Sequence, residues 1–165
     1  MINWAHVHLM INHFPVIGIM GALLVFGYGL ARRSDEVKLL GLGLFVLIAL
    51  STIAVYLTGG AAEDVVKNLP GVTESYIGTH EEMALLALGL MELLGIVALG
   101  GLFLFRKSGA LPKWYPLLVL AIALAAAGAV GLTANLGGQI RHTEIRDTTG
   151  GPAAPAANAP LGQKK

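Results

Sequence analysis

FPVIGIMGALLVFGYGLARRSDEVK, residues 14–38, is the stretch whose reading decides the fold. No charged side chain interrupts residues 14–31, and then Arg32, Arg33 and Lys38 crowd a short polar turn. A bilayer core of ~30 Å needs about 20 apolar residues in a helix, so this pattern predicts a transmembrane span that ends on a basic loop. Residues 39–62, 83–105 and 115–136 have the same character, with Glu92 the one charged residue among them. In hydrocarbon only helices and closed barrels satisfy their own backbone, and these runs lack the alternation of barrel strands. The expected fold is therefore all-α: an integral membrane four-helix bundle, up-down-up-down, occupying residues 1–146.

The composition agrees. Of 165 residues, 55% are hydrophobic and only 13% charged, and mean hydropathy is +0.71, outside the range of ordinary soluble domains. The net charge of +1 is carried in short loops, which argues against a nucleic-acid partner. Without cysteine there can be no disulfide, thiolate nucleophile, iron–sulfur cluster or covalently attached haem. The opening MINWAHVH has neither a basic n-region nor a cleavage site, so the first apolar run is expected to remain in the protein.

Arg32, Arg33 and Lys38 in one loop, and Arg106, Lys107 and Lys113 in another, place both loops in the cytoplasm by the positive-inside rule. Both termini are then expected on the periplasmic side of a bacterial inner membrane. Between the second and third spans, residues 61–69 read as a short amphipathic helix lying on the outer interface as a lid, ended by Pro70 and Gly71. The tail, residues 147–165, is rich in Pro, Ala and Gly and is expected to be disordered.

This topology gathers the histidines. His6, His8 and His13 precede the first span, His80 opens the third and His142 follows the fourth, so all five fall on the outer rim. The two halves also echo each other. A span opening near His13 is followed by one closing on Leu57, Thr58, Gly59 and Gly60; a span opening at His80 is followed by one closing on Leu132, Thr133, Gly137 and Gly138. A parallel repeat of this kind would set His13 and His80 at equal depth on diagonal helices.

His13 has two readings: an interfacial side chain near the helix start marked by Pro15, with Asn12 or His13 itself as cap, or a metal ligand. Convergence with His80 and His142 favours the ligand, because neutral imidazole is the commonest of metal ligands. If the N-terminal segment continues the helix, His6, Met10 and His13 share one face, and His8 and Asn12 another. His6 and His8 rank below His13. In THEE, residues 79–82, Thr79 as N-cap and Glu82 three residues on form a capping box, which leaves His80 the more informative residue and Glu81 a ligand or an orienting partner. Glu92 sits inside an apolar span, where a carboxyl is protonated, partnered or functional. Ser51 lies at similar depth, so Glu92 and Ser51 read as a buried polar pair or as part of a proton relay.

HLMINHFPVIG, then YLTGGAAEDV, THEEMALLAL and an outer C-terminal histidine resemble a group of uncharacterised bacterial four-helix inner-membrane proteins whose first helix opens on His-Phe-Pro. The likeness covers about residues 6–105, and His13, Phe14 and Pro15 match the motif. It implies an inner-membrane bundle with a membrane-bound haem or redox role.

Two cofactor readings follow, and a third without one. In the first, His13 and His80 ligate b-type haem, His142 substitutes, and Arg141, Arg146 and Lys67 face the propionates. In the second, His13, His80 and His142 with Glu81 or Glu63 hold a non-haem transition metal ion. In the third, the chain is a structural subunit of a larger membrane complex. The partners expected are the lipid bilayer and other membrane redox subunits or further copies of the chain. No catalytic residue is legible.

Overall fold

A computed structural model describes residues 3–146; the tail from residue 147 onward lies outside them. The described chain is all-helical: α1 (Trp4–Ile11), α2 (His13–Ala31), α3 (Asp35–Val66), α4 (Glu74–Ser108) and α5 (Tyr115–Arg141), with a terminal 3₁₀ turn, Thr143–Ile145. Four helical stretches are long and apolar enough to cross a membrane, the first formed by α1 and α2 together (Trp4–Ala31).

Each helix boundary has a local cause. Asn3 caps α1, its side chain accepting from the His6 backbone N–H at 3.2 Å. Asn12 separates α1 from α2 without turning the chain aside, because its own backbone is helical and its N–H donates to His8 O. The Ser34 side chain accepts from Val37 N–H at the start of α3, where Asp35 and Glu36 favour the positive helix end. Gly109, in the left-handed conformation, closes α4, and Pro116 stands in the first turn of α5, where its missing N–H costs nothing.

The contacts run in ordered registers. Between α2 and α3, Gly29 meets Lys38, Gly41 meets Phe26 and Gly18 meets Ile48. Between α3 and α4, Gly95 meets Ala49 and Gly101 meets Leu42; between α4 and α5, Gly101 also meets Tyr115, whose hydroxyl donates to Val97 O. As residue numbers rise along one helix they fall along its neighbour. α2 also touches α5, which closes the ring of helices. A Cβ at Gly41 would stand 2.8 Å from Phe26 Cβ, and one at Gly95 2.5 Å from Ala49 Cβ, so the helices meet at distances only glycine permits.

Inside the ring, Phe26 and Phe45 pack edge to face at 5.6 Å among Ile19, Leu42, Met91, Leu94 and Val119, all fully enclosed. Outside it, Ile17, Leu24, Leu47, Ile96, Phe103 and Leu117 are exposed. The long helices are thus apolar outside the ring as well as inside it.

Three expectations about the helix ends are corrected. Residues 61–69 form no separate lid helix, because α3 runs on to Val66. Gly59 and Gly60 weaken the helix without ending it; α3 closes at the Lys67 cap, ahead of Pro70 and of Gly71, whose φ is +80°. Thr79 caps nothing, since α4 begins at Glu74 and the Thr79 hydroxyl donates back to Ser75 O. α2 opens at His13 after Asn12, as expected, but α1 leads into it, so the helical stretch that contains the first apolar run begins at Trp4.

Candidate functional site

The buried positions of α1 and α2 are Ala5, Pro15, Ile19, Ala22, Phe26 and Gly29. From Pro15 on they recur every three or four residues, and the same spacing carried back to Ala5 passes through Asn12 and His8. In α4 the buried positions Ile77, Ala87, Met91, Leu94, Ala98 and Gly101 form a stripe that passes through His80. His8 and His80 therefore face the bundle. His13 falls with Met10, Ile17, Met20 and Leu24 on the exposed side of its helix.

Both inward histidines are anchored in the same manner. His8 Nδ1 stands 3.2 Å from Val55 O and 2.9 Å from Thr58 Oγ1, both on α3. The Thr58 hydroxyl gives its own proton to Val55 O at 2.8 Å, so toward His8 it can only accept. His80 Nδ1 stands 3.0 Å from Thr133 O on α5. A carbonyl oxygen never donates, so in each ring Nδ1 carries the hydrogen, and the lone pair of the neutral imidazole resides on Nε2. This is the arrangement in which a second hydrogen bond orients an imidazole for metal ligation. The two rings are near enough for a charge on one to oppose a charge on the other.

A glycine lies beside each ring, and at Gly137 it is needed to make room. A Cβ at Gly137 would stand 3.0 Å from His80 Cε1, and one at Gly59 3.9 Å from His8 Cε1. The echo between the chain halves thus has a physical counterpart: an inward histidine in one helix, and a threonine followed by glycine in the helix it leans on. His8 occupies the place that sequence spacing assigned to His13. One turn from His8, Asn12 Oδ1 is enclosed and has no hydrogen-bond partner among the described residues.

The other candidate residues are placed apart from this pair. His13 Nδ1–H donates to Leu9 O of the preceding turn, on the exposed side. His142 is exposed and pairs with Glu144 at 2.9 Å; Glu144 is held below its ordinary carboxyl range chiefly by its own backbone N–H and then by His142. Glu81 is exposed and lines a cleft with Glu63, Lys67 and Glu74. Arg141 is exposed at the end of α5. Arg146 is engaged: Nε donates to Gln139 O, Nη2 to Ile140 O and Gly71 O, and the guanidinium lies 4.2 Å above the Tyr76 ring. Lys67 pairs with Asp64. Among the described residues no group of three or more His, Asp or Glu is arranged to hold a metal ion, so His13, His80 and His142 are not gathered into one.

Glu92 and Ser51 form no hydrogen bond with each other. The Ser51 hydroxyl donates to Ile48 O at 2.7 Å, and Glu92 Oε1 is enclosed without a partner.

No family model, curated protein or solved structure matches the chain.

Proposed function

We propose that the chain is a redox subunit of a bacterial inner membrane that holds b-type haem near the periplasmic rim of an up-down-up-down bundle, and that His8 and His80 are the residues that would hold its iron, each through the Nε2 lone pair. One observation carries this reading: two inward imidazoles from different helices, each with Nδ1–H given to a backbone carbonyl of the helix packed beside it. Two protein ligands suit haem iron in particular, because the porphyrin supplies the other four positions. The glycine at position 137 fits as well, since any side chain there would crowd the His80 ring. When bound, the haem would supply one-electron transfer.

The residues of the chain do the rest. Thr58, Val55 and Thr133 fix the tautomer and aim of the two rings. Among the described residues, Arg141 is the arginine beyond Gly137 whose side chain is not already engaged, and it would pair with a propionate. The membrane placement is supported by the exposed apolar faces and by the lengths of the helices. α3 has 32 residues and α4 has 35, roughly 48 and 52 Å at helical rise against a ~30 Å hydrocarbon core, so their ends project beyond it. The alternating contact registers support up-down-up-down topology, and the two basic loops support periplasmic termini.

The same hydrogen bonds support a second reading, in which His8 only ties α1 to α3 and His80 only ties α4 to α5 within a subunit of a larger assembly. A visible spectrum of the purified protein separates the two. Haem binding gives a Soret band that grows to one equivalent on titration with haem; a colourless protein that takes up none leaves the helix-tying role and removes the redox proposal.

A further inference from the structure

Glu92 stands in the middle of the apolar stretch of α4, and its surroundings leave it unpaired in an unusual way. Oε1 is enclosed and accepts no hydrogen bond among the described residues. The hydroxyls on α3 at that depth are already given away, Ser51 and Thr52 both donating to Ile48 O, at 2.7 and 2.9 Å. No basic side chain approaches: the ion pairs of the described residues are Lys38 with Asp35, Lys67 with Asp64 and His142 with Glu144. In the apolar stretches of α3 and α5, the elements packed against α4, the titratable side chains are Tyr56 and Tyr115 alone. Tyr56 is exposed, and the Tyr115 hydroxyl is bound to Val97 O.

Glu92 is also not sealed inside the bundle. It is half-buried and lies along the helix between Gly89, where an added Cβ would meet open space, and Ile96, which is 69% exposed. Gly95, one turn away, is pressed against Ala49 of α3. The carboxyl therefore sits at the seam between the α3 contact and the outward surface. An ionised carboxylate there would have neither water nor a counter-charge, whereas the neutral acid can tolerate the site.

We propose that Glu92 is a proton-binding carboxyl in the wall of the bundle, reached from the hydrocarbon side and not through a chain of other titratable groups. The site takes a proton as its ligand and is a modification site for apolar reagents that attack carboxylic acids. It is independent of the haem reading, because His8 and His80 take no part in it.

Dicyclohexylcarbodiimide supplies the test on the purified full chain in detergent. The carboxylic acid adds across a C=N bond of the reagent, its proton passing to nitrogen as the new C–O bond forms, and rearrangement leaves a stable N-acylurea without loss of atoms. We expect one adduct, located at Glu92 by peptide mass spectrometry, lost as pH is raised and absent from Glu92→Gln. A water-soluble carbodiimide should modify exposed carboxyls such as Glu81 and spare Glu92. An infrared carbonyl band of a protonated carboxylic acid should be present at neutral pH and missing in Glu92→Gln. Failure of the apolar reagent to modify Glu92, equal modification by the water-soluble one, a pH-independent adduct, or absence of the infrared band would each overturn the proposal. The labelling and its pH dependence are read on the unaltered protein, so they stand even if the variant folds poorly.

Discussion

Gly137→Ala and Gly59→Ala make the same chemical change beside the two histidines, yet the structure demands different outcomes. A Cβ at position 137 would lie 3.0 Å from His80 Cε1 and 3.2 Å from His80 Nδ1, inside normal contact distance, so the ring must move by a few tenths of an ångström. The 3.0 Å bond from Nδ1 to Thr133 O then lengthens or bends. Weakening such a bond costs about 1 kcal/mol, rising to ~3 kcal/mol if the half-buried N–H loses its partner. Against this, replacing glycine by alanine within a helix gains up to about 1 kcal/mol. At position 59 only the gain applies, because the nearest atom, His8 Cε1, would be 3.9 Å away. Gly59→Ala should therefore stabilise the protein while Gly137→Ala is neutral or destabilising, the two separated by about 1–3 kcal/mol. Thermal unfolding in detergent, followed by circular dichroism, should place their midpoints at least ~2 °C apart, since each kcal/mol moves a chain of this size by about 2–4 °C. On the haem reading, Gly137→Ala should also weaken haem binding by about 10–100-fold, the usual penalty for disturbing a group that orients a ligand. Equal midpoints and equal haem affinities for the two variants would refute the proposed packing of His80 against α5.

Other consequences are simpler to test. Gly95→Val should separate α3 from α4 at Ala49 and abolish a stable fold, whereas Gly128→Ala, whose added Cβ meets open space within α5, should fold as wild type and gain up to about 1 kcal/mol in the same unfolding assay, as Gly59→Ala does. Tyr115→Phe removes the hydroxyl that binds Val97 O and should lower stability by about 1 kcal/mol. Arg146→Ala releases Gly71, Gln139 and Ile140 carbonyls and the Tyr76 ring together, so hydrogen exchange in the loop around Gly71 should accelerate while the helix centres stay protected. Because the Glu144 carboxyl is held below its unfolded value, its stabilisation of the final turn is complete above that value and is lost as pH falls through the lower folded one. NMR shifts of Thr143–Ile145 should report loosening only in that acid range.

The four apolar stretches were legible because uninterrupted runs of uncharged residues between basic loops leave little but a spanning helix. The ends of the helices were not, because apolar runs report where hydrocarbon begins and say nothing of where backbone hydrogen bonding stops. Thus α3 carries Glu63 and Asp64 within its last turns, and α4 takes in residues 74–79 ahead of His80. That same error concealed His8. A continued helix already set His8 and Asn12 on a face apart from His6 and His13, but that face was not followed into the apolar run; the spacing 8, 12, 15, 19, 22, 26 puts His8 on the buried stripe and His13 on the exposed one. Periodicity carried past the apolar run would have found it. The lack of a Glu92 to Ser51 bond was beyond sequence reasoning, because similar depth in a bundle does not fix which way a hydroxyl points.

The decisive measurement is the absorption spectrum of the haem-loaded protein in three variants purified alongside wild type: His8→Ala, His80→Ala and His13→Ala. We expect His8→Ala and His80→Ala each to lose the six-coordinate spectrum and His13→Ala to retain it. Loss in His13→Ala with retention in His8→Ala, or an unchanged spectrum in all three, would contradict the assignment of the inward pair as the ligands.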